Sequence, residues 1–316
     1  MKKVICFGEA LIDFLQTGSI DDGDLSLNTF TQFPGGAPAN VAVAVAKLGG
    51  RSTLIGQVGK DQFGDFLLDA LQVYGVDTKD TLQHATAKTA IAYVFLDEFG
   101  ERSFSFRRNQ TADILIEKDQ IQAMMFGLDN IFHFCSNTLT NASIEKVTEH
   151  AVACAHDQQA LISFDVNLRP ALWANGIIDI EIVNKFIFSS DLVKFAKEEL
   201  DLLSDGDIDA YIARCLNANV KSILITDGAN QISLYTNSGR KDIQPPAVKA
   251  VDTTGGGDSF IGAILFSLSK QDNPITLIAD IDAFSSQIEF ASRCGAYTVA
   301  RKGAFTAFPR LEEIEG

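Results

Sequence analysis

Short apolar runs alternate with helix-like runs along nearly the whole chain, and this alternation limits the fold more than any other feature. VICFGEA (4–10), STLIGQVG (52–59), IFHFC (131–135), ALISFDVN (160–167), DLVKF (191–195) and SILITDG (222–228) read as buried strands. PANVAVAVAKLG (38–49), DQFGDFLLDALQVYG (61–75) and segments near 141–157, 197–204, 208–217, 256–270 and 282–297 read as helices. Apolar strands in such a series need cover on both sides. The pattern therefore predicts an α/β fold with a mostly parallel central sheet and helices on both faces. Residues 11–33 and 88–112 break the alternation. In the second, AIAYVFL, a turn at Asp97–Gly100 and RSFSFRR with period-two alternation predict a hairpin. Together the two segments are expected to make a small antiparallel β flap, either a lid over a site or an edge extension without a role. No repeat or Pro-rich linker interrupts residues 1–316, which are expected to form a single domain.

Charge narrows the partners. A net charge of −15 repels nucleic acid and anionic membranes, so neither is expected. It would also repel a nucleotide, so any phosphate site has to be made positive locally by helix ends, cations or basic side chains. Five scattered cysteines without a C-x-x-C pair suggest free thiols in a reducing cytosol. Glu9 and Asp13 interrupt the short N-terminal apolar run, which therefore does not read as a signal peptide. No stretch reaches the roughly 20 apolar residues of a membrane span. A cytoplasmic protein is expected.

Two glycine motifs carry the chemistry. In VDTTGGGDSF (251–260), Gly255, Gly256 and Gly257 precede an apolar helical run. Glycines let backbone N–H groups turn toward a ligand, and a helix N-terminus favours an anion. Asp258 stands just inside that turn. An anion cradle beside one carboxylate is what phosphoryl transfer to an alcohol requires. The same residues also fit an ordinary glycine turn with a first-turn helix acid. In FPGGAPANVAVAVAKLGG (33–50), Gly35 and Gly36 precede a helix carrying Asn40, which can both donate and accept to a sugar hydroxyl, or simply cap a tight turn. Asp13 follows the first strand, where a crevice is expected at the strands' carboxyl ends. Asp165, Asn167 and Arg169 alternate at a strand end, and Arg107 and Arg108 close the hairpin. Thr226 and Gly228 end another strand. Lys194, Glu198 and Glu199 flank a helix start, where one acid could hold a magnesium-bound water. The four histidines show no ligand spacing, and His133 and Trp173 read as packed residues. Neither a Walker A sequence nor a G-x-G-x-x-G after the first strand is present, which weakens P-loop and dehydrogenase readings.

These two motifs, in this order and about 200 residues apart, resemble the N- and C-terminal signatures of the PfkB (ribokinase-like) carbohydrate kinases. FDVNLRPALW, SFRRNQTAD and TVARKGAFTAFP extend the resemblance over nearly the whole chain, which looks most like bacterial fructokinases within that family. The resemblance implies a sheet with a β lid and ATP-dependent phosphorylation of a primary sugar hydroxyl. By position it makes Asp258 the catalytic base and the amides of Gly255, Gly256 and Gly257 the anion hole. Asp13, Gly35, Gly36 and Asn40 would hold sugar, with Arg108 reaching in from the lid and Asn167 near the phosphates. Lys194, Thr226, Gly228, Gly257 and Ser292 would border ATP. Potassium is expected near Asp252 and Thr254 with carbonyls of Thr298, Arg301 and Gly303, and Glu199 would orient magnesium waters. Four features depart from the usual pattern: Gly256 replaces an alanine, Gln231 a glycine and Arg107 a tyrosine, while Ala196 and Lys197 stand in a region usually more acidic. Fructose phosphorylation is the leading expectation. Kinases of aminoimidazole riboside, ribose or nucleosides, or 2-keto-3-deoxygluconate are alternatives, as are a non-catalytic sensor and a purely structural subunit. A lid exposing AIAYVFL would gain by pairing with a second lid, so a homodimer is expected.

Overall fold

A computed structural model describes residues 1–96, 102–128 and 130–315. The chain runs β1 (Lys3–Phe7), β2 (Leu11–Asp21), β3 (Ser26–Gly35), α1 (Ala37–Lys47), β4 (Arg51–Gly59), α2 (Gln62–Val73), β5 (Thr81–His84), β6 (Ile91–Leu96) and β7 (Arg102–Arg107). It continues β8 (Asn130–Cys135), α3 (Ala142–Asp157), β9 (Leu161–Asp165), α4 (Ile180–Ile187), β10 (Leu192–Ala196), α5 (Lys197–Ser204), α6 (Ile208–Ala218), β11 (Ser222–Thr226), β12 (Ile232–Thr236) and β13 (Gly239–Ile243). It closes with α7 (Gly256–Ser269), α8 (Pro274–Ala279) and α9 (Ile281–Val299). Among the described residues the main sheet has the order β13-β12-β11-β10-β9-β8-β1-β4-β5. It is parallel from β5 to β11, and β12 and β13 extend one edge antiparallel.

Alternate strand residues feed two apolar layers. Val4 and Cys6 face a core shared with α1, α7 and α9, whereas Ile5 and Phe7 face one shared with α3, α4 and α6. Strands buried on both faces explain the near-continuous apolar runs in the sequence. Helices α1 and α7 are themselves apolar almost all round: Pro38–Val45 and Ser259–Ser269 are buried. Such helices belong inside a fold. They pack against each other through their smallest residues, and a Cβ on Gly262 would sit 2.6 Å from the Ala44 Cβ. One turn before that contact on each helix stand Asn40 and Asp258. Close packing of two featureless apolar helices therefore sets the distance between the two polar motifs.

A second sheet has the order β3-β2-β6-β7. It is antiparallel except for the parallel pair of β2 and β6, because β2 continues from β1 and β6 returns beside it after the α1–β5 excursion. The hairpin turn at Asp97–Gly100 lies outside the described residues. Phe14, Phe30, Tyr93 and Phe95 form an edge-to-face and stacked aromatic cluster on this sheet. All five cysteines are free and buried. No helix among the described residues is long and apolar enough to cross a membrane.

Candidate active site

The carboxyl ends of the parallel strands open into a cleft of about 670 Å3, lined by Asp13, Gly36, Asn40, Asn167, Lys194, Glu199, Thr226, Thr254, Gly255, Gly257 and Asp258 among others, with Phe104 and Phe106 from β7. An adjoining cavity of about 280 Å3 is mostly apolar. It is bounded by Thr226, Gly228, Pro246, Val248, Gly256 and Ser292. Thr226 and Gly257 belong to both. A polar room and an apolar room thus share one wall.

Gly255 caps α7 in the left-handed conformation (φ 73°), which glycine adopts without strain. The Gly256 amide donates to the Thr253 carbonyl at 3.3 Å, so this middle glycine is spent inside the turn and not on an anion. The Gly256 side faces the apolar cavity, where a Cβ would come 2.6 Å from Val299 Cγ1. That contact accounts for glycine at this position. Among the described residues the Gly255, Gly257 and Asp258 amides have no protein acceptor, as expected for a first helical turn. They make the anion-binding end of α7. The Lys194 ammonium stands 3.5 Å from where a Gly257 Cβ would be, and it bonds both Asp165 oxygens at 2.9 and 3.0 Å. This pair is buried, and Asp165 raises the Lys194 pKa after burial has opposed it. His133 lies behind it against Ser163 at 3.1 Å, and burial pushes its pKa down to about 4, so the ring is neutral.

Asp258 accepts from Asn40 Nδ2 at 2.7 Å. Burial, and next the Asp165 charge, raise its carboxyl to about 6, against the pull of Asn40 and Lys194. It is a base poised below neutral pH. Asp13 rests against Gly35: a Cβ there would lie 2.0 Å from Asp13 Oδ2, so Gly35 makes room for the carboxylate. Gly36 has φ 103°, and a Cβ would meet the Glu9 carbonyl oxygen at 2.5 Å. Gly36→Ala is expected to destabilise the protein by at least about 2 kcal/mol. Paired thermal melts check this, and an unchanged melting temperature in the variant refutes it.

Three expectations need adjustment. Arg108 does not enter the cleft. Its Nε meets Asp113 at 2.5 Å and its Nη1 meets the Asn137 carbonyl at 2.9 Å, which places it behind the cleft wall. Glu199 lines the cleft, but its oxygens accept from Leu168 N (2.7 Å) and Ala196 N (2.8 Å), so it first clasps two strand ends together. The Gly256 amide is occupied as described. Asp252 accepts from Thr254 N at 2.8 Å and Gly303 N at 3.0 Å, and Arg301 N donates to Thr298 O. Asp252 N also donates to the Val299 carbonyl at 3.1 Å, which sets this cluster next to the Thr298–Arg301 turn. Asp252, Thr254 and Gly303 border a cavity of about 30 Å3 that Thr298 and Arg301 do not line. Sequence reasoning overlooked Glu9 and Asn137, both buried in the cleft wall. A carboxylate directly after an apolar strand was the available signal for Glu9.

The model of the pfkB family of carbohydrate kinases matches residues 1–311. Fructokinase-2 of Solanum habrochaites is 36% identical over 315 residues, covering 98% of this chain and 94% of its own. The crystal structure of a Xylella fastidiosa fructokinase with bound ATP is 40% identical, with a TM-score of 0.92 and coverage of 99% and 97%. A Vibrio cholerae fructokinase double mutant, bound to fructose, ADP and potassium, is 31% identical, with a TM-score of 0.89 and coverage of 100% and 97%.

Proposed function

Because the chain belongs to the pfkB family of carbohydrate kinases, we propose that it transfers the γ-phosphoryl group of ATP to the 6-hydroxyl of fructose. The observation that carries this reading is the 2.7 Å contact between Asn40 and Asp258. It joins a hydroxyl-binding helix start to the free amides of the α7 turn, so an acceptor alcohol and a phosphoryl group meet at one carboxylate. The fructose and ATP named for two similar solved structures support the same assignment.

Sugar lies between Asp13, Gly36 and Asn40 under the aromatic residues of β7. The adenine lies in the apolar cavity beside Gly228 and Ser292, and the phosphates run past Thr226 and Asn167 toward α7. Asp258 orients the acceptor hydroxyl and takes its proton late. The transition state is loose, so alignment and charge stabilisation supply most of the rate. The Gly255 and Gly257 amides and Lys194 meet the charge on the transferring group. Among the described residues no three acidic, histidine or cysteine side chains gather to hold a metal. A magnesium ion would therefore be held by the phosphates, water and the remaining Glu199 lone pairs, and would supply neutralisation of phosphate charge. The Asp252 junction suits a potassium ion, which would brace the glycine turn against the acidic field of the chain. The chain works as one kinase domain, 1–316, with segments near 11–33 and 88–112 as the lid. It acts in the cytoplasm as a homodimer paired through that lid.

A coupled assay over fructose, ribose, aminoimidazole riboside and 2-keto-3-deoxygluconate tests the reading. Fructose is expected to give the highest kcat/KM, and replacing potassium by sodium to lower it at least about fivefold. A riboside turned over better than fructose replaces the substrate, and absence of transfer to every acceptor returns the sensor reading.

A further inference from the structure

Four polar atoms in and behind the wall of the cleft are buried without a partner: Glu9 Oε2, Asn137 Oδ1, Asn40 Oδ1 and Arg108 Nη2. Glu9 is 1% exposed and Asn137 5%, and both line the cleft. Glu9 Oε1 already accepts from Asn137 Nδ2 at 2.8 Å and from the Ala37 amide at 3.2 Å. A carboxylate only accepts, so Asn137 must turn its nitrogen to Glu9 and leave its oxygen free. The same logic fixes Asn40, whose nitrogen is committed to Asp258. Three of the four orphans are therefore acceptors. A buried polar atom left unpaired forfeits the hydrogen bonds it had in water, which marks these acceptors as waiting for donors.

Their placement sets a scale. The Ala37 amide, held by Glu9, and Asn40, held by Asp258, lie three residues apart on α1. That is about 4.5 Å along the helix axis, close to the span of a sugar ring. Asp258 marks the end where the phosphoryl group arrives, so Glu9 and Asn137 mark the other end. The Arg108 charge is matched by Asp113 and faces Glu9 as well, so no surplus cation stands at this wall.

We propose that Glu9 Oε2 and Asn137 Oδ1 accept hydrogen bonds from hydroxyls at the end of the sugar opposite the phosphorylated carbon, and that this acceptor pair selects neutral polyhydroxylated sugars over sugar acids. A carboxylate at that end brings no hydrogen to donate, and burial, which raises the Glu9 pKa, already opposes negative charge at this wall. A neutral ketose or aldose brings hydroxyls that fill each orphan. A site built to pair with hydroxyls discriminates far more sharply than an apolar one, because a mismatched ligand leaves its groups unpaired. The inference rests on the sugar-kinase reading of this cleft and concerns which sugars enter it.

Calorimetric binding without turnover separates the two. Fructose is the neutral probe, gluconate the acidic one and ATP the control. The wild-type protein is expected to bind fructose at least tenfold more tightly than gluconate. Glu9→Gln, which turns a donor toward the sugar where an acceptor stood, is expected to weaken fructose roughly 10–100-fold. ATP binding should stay within threefold, and the fructose-to-gluconate ratio should narrow. Asn137→Ala is expected to weaken fructose at least fivefold with ATP again unchanged. Wild-type protein that binds gluconate as well as fructose, or binds neither, overturns the proposal, as does fructose affinity within threefold of wild type in both variants. If Glu9→Gln loses its folding transition, Asn137→Ala decides by the same criterion. Failure of the kinase reading looks different: fructose would bind with this selectivity yet receive no phosphate.

Discussion

Asp258→Asn is expected to lower kcat by at least about 10²-fold with fructose and ATP affinities nearly unchanged, because the substitution keeps the shape and the Asn40 contact but removes the base. In the unaltered protein kcat/KM should rise about tenfold per pH unit below about 6 and level off above it, since the base must be ionised and its carboxyl titrates near 6. The sign for stability is opposite. The folded carboxyl holds its proton more tightly than the unfolded one, so ionising it destabilises the native state progressively between about pH 4 and 6. Water still reaches Asp258 from the open cleft, so the cost above pH 6 is on the order of 1–2 kcal/mol. The ligand-free variant should therefore melt higher than the wild type at pH 7 and show no advantage at pH 4. Near-normal turnover would remove Asp258 from the chemistry, and an acid limb well below pH 5 would deny the influence of burial and Asp165.

The sequence and the fold agree where one local pattern had one physical cause. The buried strands are legible because parallel strands covered on both sides need unbroken apolar runs, and β1, β4, β8, β9, β10 and β11 each appear within a few residues of the expected span. The glycine motifs are legible because a turn that offers bare amides cannot use other residues. What could not be read locally depends on pairing between distant segments. The edge strands β12 and β13 are short and alternate apolar with polar residues: Ile232, Leu234 and Ile243 enter the core, while Arg240 and Asp242 stay exposed, so neither reads as an unbroken apolar run. Arg108 ends the expected hairpin, yet only the fold shows that Asp113 and the Asn137 carbonyl already hold it. Gly256 belongs to the glycine run, but its amide turns to Thr253, a choice made by backbone geometry that composition does not encode. Glu9 and Asn137 stand 128 residues apart and belong to no motif. Their importance comes only from being buried together in one wall.

Lys194→Met tests the other long-range pairing and is expected to have the largest effect on stability. Asp165 and Lys194 sit on neighbouring parallel strands, directly opposite in register, and both are buried. Removing one partner strands a charge, which costs about 3–5 kcal/mol in comparable sites. The loss of the ammonium also acts on catalysis in two ways. It removes a cation beside the Gly257 amide, so kcat should fall on the order of 10²-fold if it meets the transferring charge. It also withdraws the one nearby influence of Lys194 that lowers the Asp258 pKa, and leaves the Asp165 charge that raises it. The acid limb of kcat/KM should therefore move upward from about 6, toward neutral pH. Asp165→Asn in the same chain should return much of the lost stability, because neither charge then remains buried alone, and should bring the acid limb back down, while kcat stays low. A Lys194→Met variant with an unmoved acid limb would show that the pair does not tune Asp258. Recovery of kcat in the double variant would show that Lys194 acts only by balancing Asp165 and not on the phosphoryl group.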